Sequence, residues 1–287
     1  MRLLPPVTQS CAVRRRKAKL APAGQAGCAR ARAFQETMRQ GRAAAAYALL
    51  LAGGAVWAGP PFLTDDPAPI TYRHSEAYVF ATLDATAADR TVLLPAAEFN
   101  NSPVPDVHLH IAVPLILYGV NHSAQYYGLG DIEVGVKYRF VQETALMPQI
   151  GVYPMAELPS GSPEHGLGNG RSWWKLPMWL QKSVGSWTTY GGGGYAVNHA
   201  PGMRSYGFGG WALQHEVNQS LTLGGELFAQ GAVNSLGRGT LIANFGGIYT
   251  PGRGCAGCQI LFSAGHSVSG ERNTVAYLAL YWDIGPQ

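Results

Sequence analysis

Charge is scarce in this chain, and long apolar runs are scarcer. Only 13% of its 287 residues are Asp, Glu, Lys or Arg. After residue 58 no apolar run reaches 18 residues, so that stretch offers no helix apolar over a bilayer's width. Cysteine is limited to Cys11, Cys28, Cys255 and Cys258. Common catalytic signatures are also missing: there is no Gly-x-Ser-x-Gly elbow and no His-Glu-x-x-His helix. The glycine clusters Gly166-Leu-Gly-Asn-Gly170 and Gly191–Gly194 open no helix, so neither offers the amide cradle that binds phosphate. No catalytic residue, cofactor or resident metal is nominated. Ten of the 21 basic residues and one of the 17 acidic ones precede residue 59, which leaves 11 basic and 16 acidic groups and a net charge near −5. A basic surface for nucleic acid is therefore excluded.

What precedes residue 59 reads as targeting. Residues 38–58 have a basic start (Arg39, Arg42), an apolar run from Ala43 to Trp57, and small residues at Val56 and Ala58 around a cleavage point. That pattern is a secretory signal peptide, with Gly59 as the expected mature terminus. Residues 1–37 read as a leader upstream of a true start at Met38. Residues 59–74, Gly-Pro-Pro-Phe-Leu-Thr-Asp-Asp-Pro at their head, are too Pro-rich for a regular element and read as an extended lead-in.

Abundant glycine (37) and tyrosine (14) favour strands and turns over helices. The clearest strand is 131–140. Ile132, Val134, Val136, Tyr138 and Phe140 share one face, and Asp131, Glu133, Gly135, Lys137 and Arg139 share the other. A period of two over about ten residues fits a tilted strand that crosses a membrane, apolar toward lipid and charged toward a lumen. Twelve such segments follow the lead-in: 75–84, 92–101, 107–118, 131–141, 148–158, 174–183, 187–198, 205–217, 221–230, 239–249, 259–267 and 273–283. The expected fold is all-β, a single antiparallel barrel of about 12 strands over residues 75–287. Its connections alternate between long ones near 119–130, 159–173, 199–204 and 231–238 and short ones at 102–106, 142–147, 184–186 and 218–220. Long outer loops and short periplasmic turns are the outer-membrane pattern. Aromatics gather at the expected strand ends: Tyr126-Tyr127, Trp173-Trp174, Trp187, Tyr249 and Tyr281-Trp282.

The candidate lumen residues are His108, His110, Asp131, Glu133, Lys137, Arg139 and Glu226. If residue 118 faces 131, the register sets His110 opposite Arg139. The lead-in pair Asp65-Asp66 is expected to fold back and meet an inward cation such as Arg139. Cys255 and Cys258 are expected to form a disulfide in a periplasmic turn, an oxidising setting in which a Cys-x-x-Cys without a following helix acts as a clip.

Three stretches resemble the outer-membrane family named for the meta-pathway of phenol degradation. They are Gly59–Pro67, Gly128–Phe140 and Leu158-Pro-Ser-Gly-Ser with Gly166–Gly170. The resemblance covers residues 59–287 and implies an outer-membrane barrel that passes hydrophobic or aromatic compounds. One departure is that Tyr281-Trp282 is followed by Asp-Ile-Gly-Pro-Gln, so the aromatic signal that the barrel-assembly machinery reads is displaced or weak. The function expected is passive passage of a small hydrophobic or aromatic solute across the outer membrane of a Gram-negative cell, with outer-membrane lipid around the barrel. The alternatives are a non-transporting structural or adhesive barrel, or an enzyme acting on lipid.

Overall fold

The computed structural model describes residues 61–120, 125–252 and 257–286. The expected leader, the signal peptide, Gly59 and Cys255 lie outside the described residues. Fourteen strands follow one another: β1 (Ser75–Thr86), β2 (Asp89–Val104), β3 (Val107–Val120), β4 (Gln125–Leu129), β5 (Ile132–Val141), β6 (Gln149–Val152), β7 (Met155–Leu158), β8 (Trp173–Val184), β9 (Trp187–Val197), β10 (Tyr206–Asn218), β11 (Leu221–Gln230), β12 (Thr240–Tyr249), β13 (Cys258–Gly270) and β14 (Asn273–Ile284). The one helix among the described residues is a short 3-10 turn, Pro163–His165.

All pairings are antiparallel, and β1 lies against β14 with Ser75 opposite Ile284 and Thr86 opposite Asn273. That pairing closes the sheet on itself, leaving no free edge to aggregate. β4 and β5 share one place in the wall, both alongside β3. β6 and β7 share another, between β5 and β8. Fourteen strands thus make a closed barrel of twelve wall positions, the number expected.

The strand expected at 131–141 is present unbroken as β5, with β4 added to its wall position, while the strand expected at 148–158 is divided into β6 and β7. Pro154 has no N–H to give to a ladder, and it separates β6 from β7. The wall stays joined there because Val136 N–H donates to the Pro154 carbonyl at 3.0 Å and Tyr153 N–H to the Pro177 carbonyl at 3.2 Å. On the other side of β5, residues 125–129 were expected in a loop but pair with β3 as β4, with Tyr118 opposite Tyr126. The expected register is thereby corrected: His110 faces Gly135, and His108 faces Lys137.

The start of β1 and the end of β14 lie at one end of the barrel, with the connections 105–106, 142–148, 185–186 and 219–220 and residues 250–252. The opposite end carries 159–172, 198–205 and 231–239, together with two tight turns at 87–88 and 271–272 that shorten the expected contrast in loop length. Cys258, the first residue of β13, is disulfide-bonded.

The barrel is inside-out relative to a soluble core. Leu109, Ile111, Val113, Val136, Tyr138, Phe140, Leu176, Met178, Leu213 and Leu227 are exposed on its outer face, while His108, His110, Lys137, Gln181, Gln214, Glu226 and Asn244 are buried. Strand alternation alone produces this arrangement, and an apolar outer belt around a polar interior is what a lipid surround selects. The glycine run on β9 serves curvature: a Cβ on Gly192, Gly193 or Gly194 would come within 2.5 Å of a neighbouring strand's carbonyl oxygen. Tyr127, Trp174, Trp187 and Tyr249 point outward at strand ends as expected, but Trp173 lines the interior and Tyr281 is buried inside.

Candidate functional site

The interior is built from the inward alternate positions of every strand, and the first described segment of the chain runs through it. Residues 61–74 form no strand, since Pro61, Pro67 and Pro69 cannot supply ladder N–H groups. Their side chains settle against the inner wall. Phe62 packs with Tyr190 of β9 and Ala212 of β10. Thr64, Asp66, Pro67 and Ile70 are buried. The wall makes room for them with glycine: a Cβ on Gly210 would lie 2.1 Å from Thr64 Oγ1, and one on Gly151 would lie 3.0 Å from the Pro67 carbonyl oxygen.

Two wall charges of opposite sign hold this lead-in. Glu226 of β11 accepts the backbone N–H groups of Leu63 and Thr64, both at 2.7 Å. Its carboxylate also accepts from Asn244 Nδ2 at 2.9 Å. Lys137 of β5 lies 3.0 Å from Asp65 Oδ1 and 3.6 Å from Asp66 Oδ2. Ser263 of β13 donates to the Pro61 carbonyl at 2.6 Å. Asp66 is buried, and burial pushes its carboxyl up to about 8 against the pull of the Lys137 ammonium, with the Asp65 charge adding to the rise.

The expected partner of the acidic pair is therefore corrected from Arg139 to Lys137. Arg139 sits two residues nearer the barrel end, where Asp106 in the β2–β3 turn captures it at 2.6 Å and Gln149 accepts a further bond at 3.0 Å. A turn residue at the mouth is closer to Arg139 than anything on the lead-in.

A second ionic group stands above the lead-in. Lys175 of β8 pairs with Glu133 and, at 3.5 Å, with Glu157 of β7. His110 lies 3.1 Å from Glu133 Oε1, 3.4 Å from Glu98 Oε1 and 2.9 Å from Asn100 Oδ1. His108, one turn of the alternation away, is buried with no hydrogen-bond partner at either ring nitrogen. No group of three metal-ligating side chains occurs among the described residues.

Asp131 lines the vestibule at the long-connection end. It lies at the break between β4 and β5, where its carboxylate accepts the backbone N–H of Gly161 at 3.0 Å and of Asn169 at 2.7 Å. It clamps the 159–172 connection onto the barrel. The remaining six, His108, His110, Glu133, Lys137, Arg139 and Glu226, come together in the lumen with residues the sequence reading passed over. Those are Glu76, Glu98, Asn100, Glu157 and the Tyr78 and Tyr281 hydroxyls, which donate to Glu76 at 3.1 Å each. Alternation was the available signal for Glu98 and Asn100, since they flank the outward Phe99.

The space left over falls into two chambers. A vestibule of about 1300 Å³ opens at the long-connection end, lined among others by Asp84, Tyr118, Glu157, Trp173, Gln230 and Arg238. A cavity of about 160 Å³ lies beside the lead-in, lined by Asp65, Asp66, Glu76, His108, Lys137 and Tyr153 among others. Glu133 lines the small chamber and Glu157 the large one, so the Lys175 cluster that bonds both stands at the divide.

No family model and no curated protein sequence matches this chain. Among solved structures, it is similar to the crystal structure of the COG4313 outer membrane channel from Pseudomonas putida F1, at 11% identity over 76% of this chain and 98% of that one, with a TM-score of 0.64. It is also similar to the NanC porin, at 6% identity over 72% of this chain and 98% of that one, with a TM-score of 0.50. At these identities the likeness is one of fold: a closed β-barrel of the outer-membrane kind.

Proposed function

We propose that this protein is an outer-membrane channel for passive passage of a small hydrophobic or aromatic solute, closed in the described state by its own lead-in. The observation that carries this reading is the two-chamber lumen interrupted by a segment held through ionic and hydrogen-bonded contacts. A structural barrel has no use for an open vestibule of about 1300 Å³ and a separate inner cavity of about 160 Å³. Channels and porins among the similar folds support the same reading. The end where β1 starts and β14 finishes is then periplasmic, and 159–172, 198–205 and 231–239 face outward. The apolar outer belt contacts lipid, and the resemblance at Gly59–Pro67 and Gly128–Phe140 favours an apolar or aromatic solute.

Release of the lead-in is the opening step. The backbone groups it presents to Glu226 are single hydrogen bonds rather than a strand ladder, so it can leave without unzipping the barrel. Liposome flux with the mature chain tests the proposal: benzoate, an aromatic solute that is charged at about pH 8 and crosses lipid alone slowly, should equilibrate faster than through protein-free liposomes. Equal rates would remove it.

A further inference from the structure

We propose that the Lys137 ammonium, with the His108 imidazole beside it, binds the carboxylate of a small aromatic acid, and that Asp65 and Asp66 occupy this site until the solute replaces them. This rests on the channel reading above and names the chemistry its site selects.

Lys137 differs from the other cations in how it is paired. Lys175 is held by Glu133 and Glu157, Arg139 by Asp106, and Lys182 by Glu143, all of them groups of the barrel itself. The imidazole of His110 is likewise bracketed by Glu98 and Glu133 of the wall. The two carboxylates within 4 Å of Lys137 both belong to the lead-in. When the lead-in moves, those cations keep their partners and Lys137 loses both of its own. The ammonium, 5% exposed while the lead-in is docked, then has no carboxylate within 4 Å, which is unfavourable inside a barrel even with Glu76 of the wall acting on it from further away. An anion that arrives as the lead-in departs removes that penalty. A neutral molecule does not, and a cation makes it worse.

His108 is a second and independent sign. It is 4% exposed, faces Lys137 across the β3–β5 ladder, and lines the same small cavity. Both its ring nitrogens lack a partner, and a buried imidazole normally has one. A carboxylate bridging the Lys137 ammonium and a His108 N–H satisfies both groups. The cavity walls supply the aromatic part. The Tyr153 ring lies 4.8 Å from Lys137 Nζ and 5.8 Å from the His108 ring, and Tyr78, Tyr281, Met155 and Leu261 line the cavity too, together with the wall carboxylates Glu76, Glu98 and Glu133. With the lead-in docked the cavity measures about 160 Å³, near the roughly 150 Å³ that admits a benzene ring, and departure of Asp65 and Asp66 from its lining enlarges it.

Calorimetric titration of the full chain in detergent with benzoate, benzyl alcohol and benzylamine tests this. Benzoate should bind at least tenfold more tightly than the neutral and cationic analogues. The double variant Asp65→Asn/Asp66→Asn, which leaves Lys137 untouched, should bind benzoate at least tenfold more tightly than the parent because the competing carboxylates are gone. Adding Lys137→Met to that variant should lose the gain, and Lys137→Arg should retain most of it. Equal binding of the three solutes, or an unchanged benzoate affinity in the Asn pair, would overturn the proposal. Neither comparison needs the Met variant to fold. Calorimetry reads the site and liposome flux reads passage: benzoate binding without any flux would refute the channel and leave the site, and flux without benzoate binding would do the reverse.

Discussion

Lys137 and Glu226 carry opposite charges, and between them they hold the lead-in across the lumen. Glu226→Gln removes the charge from a carboxylate that accepts two backbone N–H groups, and a bond to a charged acceptor contributes about 1.5–3 kcal/mol. Docking should weaken by about that amount, read as a roughly ten- to hundredfold rise in maleimide labelling of a Cys placed at Ala68. Unchanged labelling would show that Glu226 is not a clamp. The raised carboxyl of Asp66 adds a pH dependence. The docked lead-in binds that proton more tightly than the free one, so this contribution is complete below 3.8 and is lost as pH rises through about 8. Labelling of the Ala68→Cys chain, divided at each pH by that of the same chain unfolded, should therefore increase from about pH 5 to pH 9, and Asp66→Asn should flatten the curve. A native profile that falls over this range would contradict the assignment. Gly210→Leu should put a side chain where Thr64 Oγ1 sits, so the lead-in should be displaced while the strand circular dichroism is retained.

At the scale of the strand, β5 carries the argument. Its inward and outward rows follow from alternation alone, and the structure places Val136, Tyr138 and Phe140 outside and Lys137 inside. Arg in place of Val136 should cost about 2–4 kcal/mol near mid-membrane, measured by urea titration in lipid vesicles. Arg at Gly135 is expected to be costly too, because a Cβ there already lies 2.8 Å from Met155 and 3.0 Å from Tyr153. A tolerated Gly135→Arg would mean that this part of the lumen is looser than described. The rows were legible in the sequence, but the partners across the lumen were not. Register depends on where the preceding loop ends, and Tyr126, Tyr127 and Gly128 look equally like a loop or a strand end until β3 is beside them. The five residues of β4 extended the ladder and shifted the register by four, which brought His108 to Lys137 instead of setting His110 opposite Arg139. Asp131 does line the vestibule, but alternation says only which side a residue points to, and not that two backbone N–H groups of a loop 30 and 38 residues away will fold onto it.

For the whole molecule, the number of wall positions and the inside-out polarity were readable from the period-two pattern, while the blocked lumen was readable only in part. The Pro-rich composition of 59–74 said that this segment would not be a strand, and Asp65-Asp66 suggested an inward cation. Nothing local could say that it would thread past Gly210 and Gly151 to reach Glu226, because that path depends on wall residues roughly 80 to 160 positions away and on cavities formed only by barrel closure. Single-channel conductance of the mature chain against the Asp65→Asn/Asp66→Asn/Glu226→Gln variant, in the same planar bilayer and salt, tests the central claim most directly. The account predicts a low-conductance native barrel with brief openings and a variant that stays open at a higher level. A native barrel already open at the variant's level would contradict it.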